Sequence, residues 1–141
     1  GRPEEGWEAV NQWGPKVPIE PLFTVAATPE ETWATYADGS PAVVVRRGQA
    51  GTDVFLGIPA LTPELVRALA KLAGVHVFTE NNSAVWATER YLSIQAHQAG
   101  PVVISTGKPG PVRDALDGKV VGTGPQVTVQ FARGETKVLE Y

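Results

Sequence analysis

The chain has 141 residues, enough for one domain or two small subdomains that bury an apolar core without staples. It contains no cysteine, which excludes disulfides, thiolate metal sites and cysteine nucleophiles. A net charge of -3 with no basic run beyond Arg46-Arg47 argues against a nucleic-acid partner, and no apolar run approaches the ~20 residues that span a bilayer.

Residues 1–21 are rich in proline and follow no period, with Trp7 and Trp13 set among Glu4, Glu5, Glu8 and Lys16. Such a stretch predicts an extended arm, with one or two helical turns over residues 5–12. A merely solvated tail rarely carries two tryptophans. Trp7, Val10, Trp13, Val17 and Ile19 are therefore expected to dock, either on their own domain or on a neighbouring copy.

Residues 22–25 (Leu-Phe-Thr-Val) predict a short strand. Thr28-Pro29-Glu30-Glu31 has the order of a helix start, a cap followed by proline and acid, and predicts a helical turn through Trp33 before the turn Ala37-Asp38-Gly39-Ser40. Residues 41–46 and 52–58 are apolar and β-branched, and the Gly48 to Gly51 turn between them makes a hairpin.

Residues 62–74 carry a complete helix signature. Thr62 can cap the free N–H groups, Pro63 occupies the first helical position, Glu64 faces the positive end of the dipole and Gly74 closes the helix. Leu65, Leu69, Leu72 and Ala73, joined by Val66 and Ala68, form a broad apolar face, with Arg67 and Lys71 on the wet side. Residues 75–78 then return as a strand. The order strand, helix, strand predicts a right-handed crossover with parallel pairing.

Beyond Gly74 the chain is strand and turn. Residues 84–88, 91–97 and 102–106 predict short strands after the turn Glu80-Asn81-Asn82-Ser83. Residues 112–121 predict two strands about an Asp117-Gly118 turn, and 126–131 and 136–141 alternate as half-wet strands. These make a small sandwich of about seven strands.

Three motifs bear a resemblance: "DGSPAVVVRRG", "TDVFLGIPALTPELVRALAKLAGVHVF" and "PVRDALDGKVV". From Pro41 onward the sequence resembles the carboxy-terminal region of bacterial family 42 glycoside hydrolases of the β-galactosidase type. That resemblance implies the end of a flavodoxin-like domain used in trimer formation, followed by a small carboxy-terminal β-sandwich. The catalytic barrel of those proteins, and the first strands and helices of their flavodoxin-like domain, have no counterpart in these residues.

Glycoside hydrolysis needs two carboxylates ~5 to 10 Å apart across the sugar. The candidates are Glu80, Glu89, Asp114 and Asp117, but Asp117 serves the turn before Gly118, Asp114 can start the same hairpin, and the two glutamates flank polar turns. His76 and His97 are lone imidazoles with no acid at metal spacing. Ser40, Ser83, Ser93 and Ser105 lack a nucleophile elbow, and the glycines of 122–126 precede a strand where a phosphate loop needs a helix. Carbohydrate modules set aromatic faces beside amides and carboxylates, and Trp86, Tyr91, Asn81, Asn82 and Gln95 gather around one hairpin. Against this, Trp86 alternates with Ala84 and reads as core.

The expected fold is β-rich α+β: an extended arm (1–21), a partial α/β subdomain (22–74) with one main helix (62–73), and a small antiparallel β-sandwich (75–141). No enzymatic activity, cofactor or metal is expected. The expected function is a structural module that self-associates through its arm and open sheet edges, so that its partners are other copies of itself in an oligomer or filament. The alternative is an accessory carbohydrate-binding domain of an exported glycoside hydrolase. A chain that begins at Gly1, contains no methionine and is low in charge but abundant in Gly, Pro, Thr and Val predicts a processed, extracellular or cell-surface protein.

Overall fold

The computed structural model describes residues 14–15, 17–59 and 61–141. Trp7, Val10 and Trp13 of the predicted arm lie outside the described residues; Val17 is exposed and Ile19 half-buried. The chain divides into two compact units, Gly1–Ala73 and Gly74–Tyr141.

In the first unit the described strands form an antiparallel sheet of order β1-β2-β3, with β1 at Thr32–Thr35, β2 at Pro41–Gly48 and β3 at Gly51–Leu56. The predicted hairpin is present, in register from Val43 opposite Leu56 to Gly48 opposite Gly51. Ala42, Val43, Val44 and Val45 are buried in succession, so the central strand is covered on both faces. Gly57 follows β3 where the backbone passes close to Tyr36: a Cβ there would stand 2.1 Å from the Tyr36 hydroxyl oxygen, which donates to the Phe23 carbonyl at 2.9 Å.

Two predicted elements of this unit take other forms. Residues 22–25 form no strand and are tied down by side chains instead, the Thr24 hydroxyl donating to the Pro41 carbonyl at 2.8 Å. At Thr28 a single turn closes, with the Thr32 N–H donating to the Thr28 carbonyl at 3.1 Å and the Glu31 carboxylate accepting from the Thr28 N–H at 3.0 Å. The turn does not continue through Trp33, which lies in β1. One turn is too short to propagate, and Thr32, Trp33 and Thr35 favour the ladder that β2 offers.

The helix α1 runs over Pro63–Leu72. Its Thr62 hydroxyl oxygen accepts from the Leu65 N–H at 3.2 Å, the Ala73 N–H reaches back to the Leu69 carbonyl, and Gly74 takes a left-handed φ of 70°. Leu65 is fully buried, whereas Val66, assigned by its sequence to the apolar face, is exposed. One step along a helix turns about 100°, so the stripe through the buried Leu65 and the half-buried Leu69 and Leu72 excludes Val66.

The predicted parallel crossover is absent among the described residues. Residues 75–79 form no strand, and every described pairing is antiparallel.

The second unit is a five-stranded antiparallel sheet of order β4-β5-β8-β6-β7: β4 Ala84–Ala87, β5 Tyr91–Gln95, β6 Gly100–Asp114, β7 Val120–Phe131 and β8 Thr136–Glu140. Five strands, two of them long, replace the expected seven because the predicted strands on either side of residues 107–110 are one continuous strand, as are those around 122–126. β6 pairs with β7 from Gly100 opposite Phe131 to Arg113 opposite Val120, with a register shift between Ser105 and Gly110. Only the far end of β6, at Arg113 and Asp114, joins β8. The near half folds over, since its Val102 and Ile104, with Val127, Val129 and Phe131 of β7, belong to the same buried cluster as Leu92, Ile94 and Leu139. A sandwich results from one long bent hairpin. Thr106 is buried at the bend, its hydroxyl donating to the Lys108 carbonyl at 2.9 Å. Phe78 closes the other side, its carbonyl accepting from the Ser105 N–H at 2.8 Å.

Candidate functional site

Antiparallel order brings the start of β4, the end of β5 and the start of β8 to one end of the second unit, with the start of β6 and the end of β7. Three connecting loops, 79–83, 96–99 and 132–135, therefore meet there. The last two are locked together: the Gly134 N–H donates to the Ala96 carbonyl at 2.8 Å and the Ala96 N–H to the Glu135 carbonyl at 3.0 Å.

The face of β4 and β5 that leads to this end turns away from the core. Trp86 stands opposite Ser93, and Ala84 opposite Gln95, while Val85 pairs with the fully buried Ile94 and Ala87 with the fully buried Leu92. Trp86 does share a face with Ala84, as alternation requires, but it is the outer face: Trp86 is 61% exposed. The core reading of Trp86 is thus overturned, because Val85, one residue away, packs against the apolar cluster. No other described residue makes a hydrogen bond or ring contact with the Trp86 indole.

Tyr91 lies on the same face, two residues from Ser93, and is 40% exposed. The Arg90 guanidinium sits 5.5 Å from its ring centre and pairs with the Glu140 carboxylate, whose hydrogen bond holds the guanidinium above its usual pKa.

Gln95 connects this face to the loops. It lines a cleft of about 340 Å³ together with Asn82, Ala84, His97 and Arg133. An adjoining cleft of about 370 Å³ is lined by Asn81, Asn82, Ser83, His97, Gln98 and Pro101. Asn81 is oriented by Thr79, whose hydroxyl accepts from the Asn81 N–H at 3.2 Å. Of the five residues picked out in the sequence, Trp86, Tyr91 and Gln95 share the outer face, and Asn81 and Asn82 line the clefts at its end. His97, Gln98 and Arg133 were not picked out. His97 looks isolated in the sequence and Arg133 reads only as a turn residue; the pairing of β5 with β8 is what puts them together.

The acidic candidates serve turns. Asp114 accepts from the Leu116 N–H at 2.8 Å and Asp117 from the Lys119 N–H at 2.9 Å. The Lys119 ammonium also bonds the Asp117 carboxylate and holds its pKa below the usual range, which suits neither a proton donor nor a partner to one. Glu80 and Glu89 are exposed. His76 is exposed but engaged, with Nε2 2.7 Å from the Ser105 carbonyl and its ring edge-on to Phe78. The glycines at 122 and 124 lie within β7, with no helix after them. No group of three His, Asp or Glu able to hold a metal occurs among the described residues.

No protein-family model matches the sequence, and no curated protein matches it either. Among solved structures the chain is similar to a β-galactosidase from Bacillus circulans sp. alkalophilus, at a TM-score of 0.49 and 23% sequence identity, over 76% of this chain and 16% of that one. The chain thus spans a small part of that enzyme's length, and a likeness of this degree transfers neither its activity nor its substrate.

Proposed function

We propose that this chain is a non-catalytic module whose second unit binds carbohydrate on the outer face of β4 and β5. The observation that carries this reading is the 61% exposure of Trp86 on a sheet surface, beside Tyr91. A bare indole in water is unfavourable by tens of calories per Å² of apolar surface, and the C–H face of a sugar ring covers such a surface without demanding a deep pocket. Ser93 and Gln95 on the same face, with Asn81 and Asn82 at its end, supply donors and acceptors for the sugar hydroxyls.

Titration of tryptophan fluorescence with soluble polysaccharides should shift the emission, and Trp86→Ala should weaken binding about thirtyfold, as truncation of a central aromatic contact does. The substitution removes an exposed side chain, so the variant should melt like the parent. An unchanged affinity in Trp86→Ala, or no response to any glycan, would sink the proposal.

A second reading, self-association, is favoured by a separate observation in the first unit: Val17, Leu22 and Phe23 are 68%, 50% and 63% exposed. Three large apolar side chains in and just after the predicted arm suit docking on another copy, in an oligomer or a filament. Light scattering on the full chain should report an oligomer, and on a chain lacking residues 1–20 a monomer. Identical monomers in both would remove this reading.

A further inference from the structure

We infer that the glycan taken by this unit is anionic, bearing carboxylate or sulfate groups, and that the clefts at the end of the outer face receive its charged groups. The inference rests on the carbohydrate-binding reading above and narrows it to a ligand class.

Three observations converge. First, Arg133 and His97 line the smaller cleft together with Gln95 and Asn82, and no carboxylate residue lines either cleft. Second, Arg133 and His97 have no side-chain hydrogen bond or ion pair with any described residue. The carboxylate nearest in sequence to Arg133 is Glu135, and it is already engaged: it accepts from the Ala132 N–H at 2.6 Å and from the Lys137 ammonium at 2.9 Å. The bond from Ala132 is the first cause that holds its pKa below the usual range, so it stays an anion spoken for by other groups. Third, the position of the cleft suits a polymer. Gln95 belongs both to the cleft and to the face that carries Trp86, so a chain lying along β5 with a ring on Trp86 brings a neighbouring ring to Arg133.

The chemistry follows from these placements. A guanidinium offers paired N–H donors that match a carboxylate or sulfate in two parallel hydrogen bonds, and each charge-assisted bond exceeds a neutral one to a sugar hydroxyl. The amides of Gln95 and Asn82 can hold the ring hydroxyls beside the charged group. In a chain of net charge -3, a cleft lined by a cation and no anion selects for anionic ligands against the repulsion of the whole.

The test uses the full chain and three oligosaccharides of matched length: a galacturonate oligomer, a sulfated galactan oligomer and an uncharged galactan oligomer. Calorimetric titration should show at least one acidic oligomer binding about tenfold or more tightly than the neutral one, the difference shrinking in added salt. Whichever acidic arm binds more tightly identifies carboxylate or sulfate as the group. Arg133→Ala should abolish the difference between acidic and neutral oligomers, with Arg133→Lys retaining part of the preference. Trp86→Ala should weaken acidic and neutral binding by the same factor. Equal binding of acidic and neutral oligomers, or a preference that survives Arg133→Ala, overturns the anionic assignment while the carbohydrate-binding reading stands. Failure of every oligomer to bind overturns both.

Discussion

Leu139→Ala is expected to remove a large share of the stability of the second unit. Leu139 is fully buried on β8, the middle strand of the five, opposite Leu92 on one side and Asp114 on the other. Deleting a leucine side chain at such a site costs about 2–5 kcal/mol, through lost transfer energy and the cavity left behind. A whole domain is stable by about 5–15 kcal/mol. Thermal unfolding followed by near-ultraviolet circular dichroism should show a midpoint lower by about 10 °C or more. Leu116→Ala is the control, since Leu116 is 84% exposed in the loop after β6 and its loss should change stability by less than about 0.5 kcal/mol. If the two variants melt together, Leu139 is not in the core.

Gly124→Ala should destabilise the same unit by about 2–5 kcal/mol, for a different reason. A Cβ at Gly124 would stand 2.3 Å from the Lys108 carbonyl oxygen and 2.6 Å from the Thr106 hydroxyl. The first of these is backbone and cannot swing aside, so β6 and β7 must part where the hairpin bends. Parting them also breaks the bond of the buried Thr106 hydroxyl to the Pro125 carbonyl across the two strands. Gly118→Ala separates this clash from backbone conformation. Gly118 has a φ of 73° and nothing within 4 Å of its would-be Cβ, so its replacement costs only the left-handed penalty, about 1–2 kcal/mol. Urea unfolding of the two variants should rank Gly124→Ala as the more damaging. The reverse order would mean that the bend is not built on the close approach of Gly124 to Lys108.

The second expectation bears on function through this hairpin. The bend lets the near half of β6 and β7 cover one side of the core, and it frees the opposite face of β4 and β5 to meet solvent. Loosening it should therefore weaken glycan binding indirectly, with loss of cooperativity in melting, whereas Trp86→Ala should weaken binding with melting unchanged.

Much of the local structure is legible in the amino-acid sequence. The helix over Pro63–Leu72 is specified within a dozen residues by Thr62, Pro63, the leucine spacing and Gly74, and no distant contact is needed to predict it. The hairpin at Gly48 and Gly51 and the turn at Asp117-Gly118 are local in the same sense. The five aromatic and amide residues of the candidate face could likewise be named from their clustering, because the hairpin that carries them is short. The strand expected at 75–78, the parallel crossover and the helical turn through Trp33 depended on what each segment would find to pair with, and there local propensity was not enough.

Tertiary structure alone decided three things. Lys108-Pro109-Gly110 carries every mark of a turn, yet the chain passes through it as a bulged strand because pairing with β7, broken after Ser105, resumes at Gly110 opposite Gly124. His97 and Arg133, 36 positions apart, line one cleft only because β5 and β8 are neighbours. Trp86 is the clearest case. Alternation establishes that it shares a face with Ala84, but a four-residue strand cannot say which face goes inward. That choice was made by Ile94 across the ladder, which drew Val85 toward the core and left the indole to the water.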